Sequence, residues 1–265
     1  MPVAIVTGAS SGIGLALSKH LLEQSWTVIL ADVAPPPPEI TGTYEFVKTD
    51  VSSWDSILAL FKHTFKTYSR IDFVAANAGI DDRDDVCADS ATDEPAPLNF
   101  KTINIDLYGA INTYWCALHY MRRNPGGKQG KIVFTASSAG LYPFASNPEY
   151  CAAKHGLVGF TRSVSQKLAS ERITVNSICP ALVKTNLAPT ELLRIIPQEQ
   201  MTPMSTIVKA FDLFINDTEF KVTGQTVECA LDELIFRDPP EFGNESQQAL
   251  FGSDASKWLE GYEKA

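Results

Sequence analysis

Apolar residues along this chain fall into short, nearly continuous runs separated by longer stretches with helical spacing. Val3–Thr7, Thr27–Ala31, Tyr44–Lys48, Phe73–Ala76, Lys131–Thr135 and Thr174–Ile178 are each rich in Val, Ile or Phe. Unbroken apolar character over so few residues is what a strand buried on both faces requires. Between them, Ile13–Gln24, Trp54–Tyr68, Leu98–Arg123, Glu149–Ser170 and a segment near Met204–Ile215 carry helical spacing. With a last strand at Thr226–Ala230, this alternation predicts an α/β fold: a doubly wound parallel sheet of about seven strands, joined by right-handed crossovers, with helices on both faces. No internal repeat or clean domain boundary interrupts it.

Two regions break the pattern. Pro35–Pro38 is a run of four prolines, which cannot be a helix interior and favours polyproline II. It stands where the crossover helix after the second strand belongs, so that helix is expected to be missing or reduced to a turn. Beyond Leu231 the chain turns polar, with Asp238-Pro239-Pro240 and an amphipathic piece around Trp258–Tyr262. Residues 232–265 therefore read as a tail, either folded back as a cover or mobile.

Composition narrows the class. The 265 residues are 45% hydrophobic and 20% charged, ordinary for a globular core. A net charge of −9 argues against nucleic-acid or anionic-membrane binding, both of which need a basic face. The chain opens on an apolar run without a basic stretch before a long apolar core, so no signal peptide is expected. No apolar run is long enough to span a bilayer. Five scattered cysteines (Cys87, Cys116, Cys151, Cys179, Cys229) read as reduced thiols of a cytoplasmic protein. The histidines (His20, His63, His119, His155) lack metal-ligand spacing, and no metal is expected.

Chemistry concentrates at two places. The first strand runs into Thr7-Gly8-Ala9-Ser10-Ser11-Gly12-Ile13-Gly14, and a helix follows. Glycines there let the backbone turn tightly and approach a pyrophosphate, whose charge the helix N-terminus meets. The second strand ends at Asp32, placed to accept bonds from the adenosine ribose hydroxyls and to repel a 2′-phosphate. No Arg or Lys lies in the glycine turn or just after Asp32, so NAD is expected rather than NADP. At the other place, Tyr150 and Lys154 lie four apart near a helix start, on one face. A phenol is a poor base at neutral pH, but a neighbouring ammonium favours its phenolate. Tyr150 can then take a hydroxyl proton as hydride leaves the carbon, or return it in reduction.

These motifs in this order resemble the catalytic short-chain dehydrogenase/reductase family, over essentially the whole length to Leu231. The matching features are Thr7–Gly14, Asp50-Val51, Asn77-Ala78-Gly79, Asn104, Ser137, Tyr150, Lys154, Asn176 and Pro180 to Thr185. The resemblance implies one Rossmann-type domain over residues 1–231, with a substrate lid around 186–215. It assigns Ser137 to the substrate oxygen, Lys154 to the nicotinamide ribose and to tuning Tyr150, and Asn104 to a water that relays protons from Lys154. It places Gly8, Ser10, Ser11, Gly12, Ile13 and Gly14 around the pyrophosphate, and Asp50 and Val51 at the adenine. Asn77, Ala78 and Gly79 support the cofactor, and Pro180, Val183 and Thr185 lie at the nicotinamide end. Leu141, Tyr142 and Leu187 are expected beside the substrate.

Segments such as Gly140-Leu141 and Lys154–Ser163 are most similar to NAD-dependent members that oxidise a secondary alcohol on a lipophilic molecule. Leu187, Leu192, Leu193, Ile195 and Ile196 would form an apolar lid. Relatives pair through the long helices, so a homodimer or homotetramer is expected. Two departures stand out: Ala181 replaces the glycine usual after Pro180, and the second crossover helix is missing. The rival readings are a carbonyl reductase or a non-redox isomerase on the same site, and, from another class, a catalytically idle NAD(H)-binding regulator.

Overall fold

The computed structural model describes residues 1–82, 84–89, 93–168 and 170–252. Its sheet holds eight strands: β1 (Val3–Thr7), β2 (Thr27–Asp32), β3 (Tyr44–Lys48), β4 (Phe73–Ala76), β5 (Gln129–Thr135), β6 (Arg172–Pro180), β7 (Thr226–Ala230) and β8 (Glu233–Phe236). They lie in the order β3-β2-β1-β4-β5-β6-β7-β8. The first seven are parallel, and β8 runs antiparallel to β7. The helices are α1 (Gly12–Glu23), α2 (Trp54–Tyr68), α3 (Lys101–Ile103), α4 (Ala110–Met121), α5 (Pro148–Lys167), α6 (Thr190–Ile195), α7 (Met204–Ile215) and α8 (Glu245–Phe251). Among the described residues, no helix is long and apolar enough to cross a membrane.

The continuous apolar runs are explained by burial on both sheet faces. On β1, Val3 and Ile5 join the core under α2, α4 and α5, while Ala4 and Val6 face α1 and α7. On β5, Ile132 and Phe134 enter the first core and Val133 the second. Period-two alternation thus persists, with apolar partners on either side.

Three details depart from the pattern. The chain makes no helix between β2 and β3, as the prolines require. The helix expected over Leu98–Arg123 starts at Lys101, and its turns at Asn104–Gly109 are π-helical before α4 continues them. The residues read as a tail supply an eighth strand, one more than the seven expected. The β7–β8 hairpin turns through Leu231, whose left-handed φ of 52° carries no glycine signal. Its N–H is held by the Thr202 hydroxyl at 3.1 Å. Further on, α8 buries none of its residues, with Phe251 68% exposed, so it forms no cover. The amphipathic piece at 258–262 lies outside the described residues.

Asn176, fully buried on β6, ties this strand to the loop before β7. Its amide donates to the Val222 carbonyl at 2.8 Å and accepts from the Gln225 N–H at 2.9 Å. Asn176→Ala strands both groups and is expected to cost about 1–3 kcal/mol, read as a lower urea midpoint at unchanged m-value.

Candidate active site

The sheet winds in opposite senses on either side of β1 and β4, which opens a crevice at their C-terminal ends. Thr7 closes the bottom of it. Its hydroxyl accepts the N–H groups of Asn77 and Ala78 at 2.9 and 3.1 Å. The Asn77 amide donates to the Thr7 carbonyl at 3.0 Å and accepts from the Thr135 hydroxyl at 3.0 Å, joining β1, β4 and β5.

Glycines set the shape of the turn above. Gly8 and Gly12 take left-handed φ values of 66° and 52°. A Cβ on Gly14 would sit 2.1 Å from the Gly8 carbonyl oxygen, so α1 can begin this close only without one. Asp32 braces the turn from β2: its carboxylate accepts the Ser10 and Ala34 N–H groups at 2.9 and 3.0 Å. Each oxygen keeps a further lone pair for a ribose hydroxyl. Asp50 is held from below β3 by the hydroxyl and N–H of Ser52, which keep its carboxyl below the usual range.

At the other end, Pro148 opens α5 and has no N–H to leave unsatisfied. Asp82, from the loop after β4, accepts the next two N–H groups, Glu149 at 3.0 Å and Tyr150 at 2.6 Å. Asn147 bonds the Asp81 carboxylate beside it. One turn on, Lys154 is buried. Its ammonium donates to the Thr135 carbonyl at 2.9 Å and lies 5.2 Å from the centre of the Tyr150 ring. The Ser137 hydroxyl accepts the Ala139 N–H at 3.1 Å and keeps its own proton to donate. Both ends open into one cavity of about 820 Å³.

The model of the family described as short chain dehydrogenase matches residues 2–193. The chain is a short-chain dehydrogenase/reductase. A relative of that name, prx6 of Penicillium rubens, is 30% identical over 263 residues, covering 91% of this chain and 87% of its own. The 15-hydroxyprostaglandin dehydrogenase [NAD(+)] of Homo sapiens is 33% identical over 196 residues, covering 69% and 68%. Among solved structures, a 3-oxoacyl-[acyl-carrier protein] reductase from Brucella melitensis in complex with NAD superposes with a TM-score of 0.76. It is 21% identical and covers 86% of this chain and 95% of that one, a likeness of fold. As an enzyme of this family, the protein is an oxidoreductase that uses a nicotinamide dinucleotide, and the glycine cradle and Asp32 fit that group.

Within this short-chain dehydrogenase/reductase the expected cofactor residues line the cavity, except Ser10 and Gly14, which support the turn from behind. Ser137, Tyr142 and Leu187 also line it. Leu141 does not: it packs against the core under α4 and α5. Of the apolar lid residues, Leu187, Leu192 and Ile196 reach the cavity, whereas Leu193 and Ile195 do not. Ala181 carries no left-handed φ, so alanine replaces glycine there without strain.

Asn104 is the largest correction. It is exposed, on the outer face shared with Tyr108 and Trp115, and is not among the groups bonded to Lys154. The residue beside the lysine is Asp106, fully buried, with a carboxylate oxygen 3.1 Å from the ammonium. Helical spacing held the signal: Thr102, Asp106, Ala110, Thr113 and Ala117 share the buried face, while Asn104, Tyr108 and Trp115 share the exposed one. Asp82 was also missed, because the helix it caps lies 67 residues further along the chain.

Gly14→Ala forces the turn open by overpacking, and a strain of about 1–3 kcal/mol is expected to weaken NADH binding about tenfold or more. Titration calorimetry on the folded variant reads this directly.

Proposed function

We propose that this enzyme moves a hydride between NAD and a secondary alcohol or ketone on a lipophilic small molecule, with Tyr150 as the acid/base. The observation carrying this reading is that Tyr150 and the buried Lys154 open into the same cavity as the glycine turn and Asp32. Bound nicotinamide supplies the hydride acceptor or donor. The protein's residues do the rest.

Tyr150 takes the hydroxyl proton or returns it, and Lys154 biases that exchange through its charge. Ser137 has a free hydroxyl proton to orient the substrate oxygen. Asp32 supports NAD as the preferred dinucleotide, because its carboxylate would lie against a 2′-phosphate. Among the described residues, Lys154 is the only basic group lining the cavity, so nothing at the ribose end would compensate that phosphate. A lipophilic substrate is favoured by the walls away from the glycine turn, where Tyr142, Phe144, Leu187, Leu192 and Ile196 gather.

Incubating wild type and Tyr150→Phe with NAD and a metabolite extract, followed by mass spectrometry, tests the reading. Wild type should convert compounds to products lighter by two hydrogens. The variant should bind NADH yet turn over about 10²–10⁴-fold more slowly. Equal product from both proteins would remove Tyr150 from the chemistry; no lighter product from either would favour the carbonyl reductase, the isomerase or the regulator. Asp32→Asn should narrow the ratio of kcat/KM for NAD over NADP; an unchanged ratio would mean that Asp32 does not select the dinucleotide.

A further inference from the structure

We propose that Glu228 and Arg237, brought in by the β7–β8 hairpin, are positioning residues that fix Tyr142 as an apolar wall of the cavity's substrate end. This rests on the reading of that end as the place where a lipophilic substrate binds, and it gives the last strands of the sheet a part in substrate choice.

Tyr142 stands on the loop that follows Ser137 and lines the cavity, with 45% of its surface exposed. A side chain that free must be ordered by any ligand packing on it, and the ordering weakens binding. Here the ordering is already done. The Tyr142 hydroxyl donates to the Glu228 carboxylate at 3.1 Å and accepts from the Arg237 guanidinium at 3.0 Å. Neither partner lines the cavity, so the anchored end of Tyr142 lies behind the wall and its ring is what a ligand meets. The backbone is fixed as well: the Tyr142 N–H donates to the Ser138 carbonyl at 2.9 Å, and the Cys151 thiol to the Tyr142 carbonyl at 3.5 Å.

The clamp is built into the hairpin. Glu228 on β7 is 6% exposed, and a carboxylate so far from water needs a counter-charge. Arg237, just past the end of β8, supplies it: its Nε lies 2.6 Å from the same carboxylate oxygen that Tyr142 uses. Arg237 is itself tied by its backbone. Its N–H donates to the Thr226 carbonyl at 2.8 Å, and its carbonyl accepts from the Arg162 guanidinium of α5 at 2.7 Å. The same helix carries Tyr150 and Lys154, so the wall and the acid/base pair are braced on one element.

An ion pair between Glu228 and Arg237 would join the two strands without any phenol. The added hydroxyl therefore serves Tyr142, and its direction is set, because an ionised carboxylate has no proton to give. The bond to Glu228 pushes the Tyr142 phenol up, with burial and the Glu228 charge adding to the shift against the pull of Arg237. Its proton is kept and its hydroxyl is taken, so this second tyrosine of the cavity offers the reaction no acid or base. It offers a ring, and Phe144 beside it continues the surface. The part of the substrate that passes here is apolar.

The test uses the full-length protein saturated with NAD, and N-phenyl-1-naphthylamine, a neutral apolar probe that fluoresces when shielded from water. With the cofactor end filled, the substrate end is left to the probe. Tyr142→Phe keeps the ring and frees it from the clamp. Glu228→Leu/Arg237→Leu removes both charges together, so that no buried carboxylate is stranded. Each is expected to weaken probe binding about two- to tenfold, the cost of ordering one side chain. The triple variant should lose no more than the larger of the two effects, because the clamp acts through Tyr142. An ion pair that merely joins the strands would lower stability and leave the probe unmoved. An unchanged or tighter dissociation constant in Tyr142→Phe or in the Leu pair overturns the proposal. So do effects that multiply in the triple variant, or a wild type that does not bind the probe. If the Leu pair does not fold, Tyr142→Phe decides alone. No arm depends on turnover, so failure of the hydride-transfer reading is seen separately, in the Tyr150→Phe product assay.

Discussion

Lys154 places an ammonium ion out of reach of solvent, and much of the surrounding structure answers to that constraint. Such an ion is tolerated only where oxygen atoms replace the water it has lost. The Thr135 carbonyl at the end of β5 provides one and Asp106 another. Supplying them requires β5, the π-helical turns and α5 to converge on one point. Gly79 must lack a side chain for the carboxylate to fit. Thr135 serves twice, since its hydroxyl holds Asn77 while its carbonyl holds the lysine.

The cofactor end is organised by backbone groups. Asp32 and Asn77 satisfy an N–H and carbonyl groups of the glycine turn, and the Thr7 hydroxyl in return satisfies N–H groups of the turn after β4. Unpaired, these groups would cost more than the bonds contribute when made. The turn is thereby preorganised, and a pyrophosphate meets a shape already in place. Asp32 combines this structural task with a place on the cavity wall, and the lone pairs left over are what a ligand can use.

The two ends differ in chemical character. Around the glycine turn the cavity is bounded by backbone and small polar side chains. Beyond Tyr150 it is walled by aromatic and aliphatic side chains from the 142–144 and 187–196 segments. A short helix, α6, and loops carry much of this wall, so it can vary without disturbing the sheet. Tyr150 and Lys154 thus stand on α5, a long helix packed on the sheet, while the apolar wall stands largely on loops.

Most of the fold was legible because strands buried on both faces need unbroken apolar runs, and helices need their own periodicity; both are local properties. The glycine turn, Asp32 and the Tyr150–Lys154 pair were legible for the same reason, since each depends on spacing within a few residues. Strand β8 was not, because its hairpin turns on Leu231, held left-handed by a bond from Thr202 that no local pattern announces. Leu141 was placed beside the substrate, yet its direction is set by the core it meets. By itself, then, the sequence determined the sheet, the glycine turn and the Tyr150–Lys154 pair on one helix face. Only the tertiary structure decided that Asp106, and not Asn104, stands beside Lys154, and that Asp82 caps the helix carrying Tyr150. Both are contacts between elements far apart in the chain, settled by which helix face turns inward and which loop end meets a helix N-terminus.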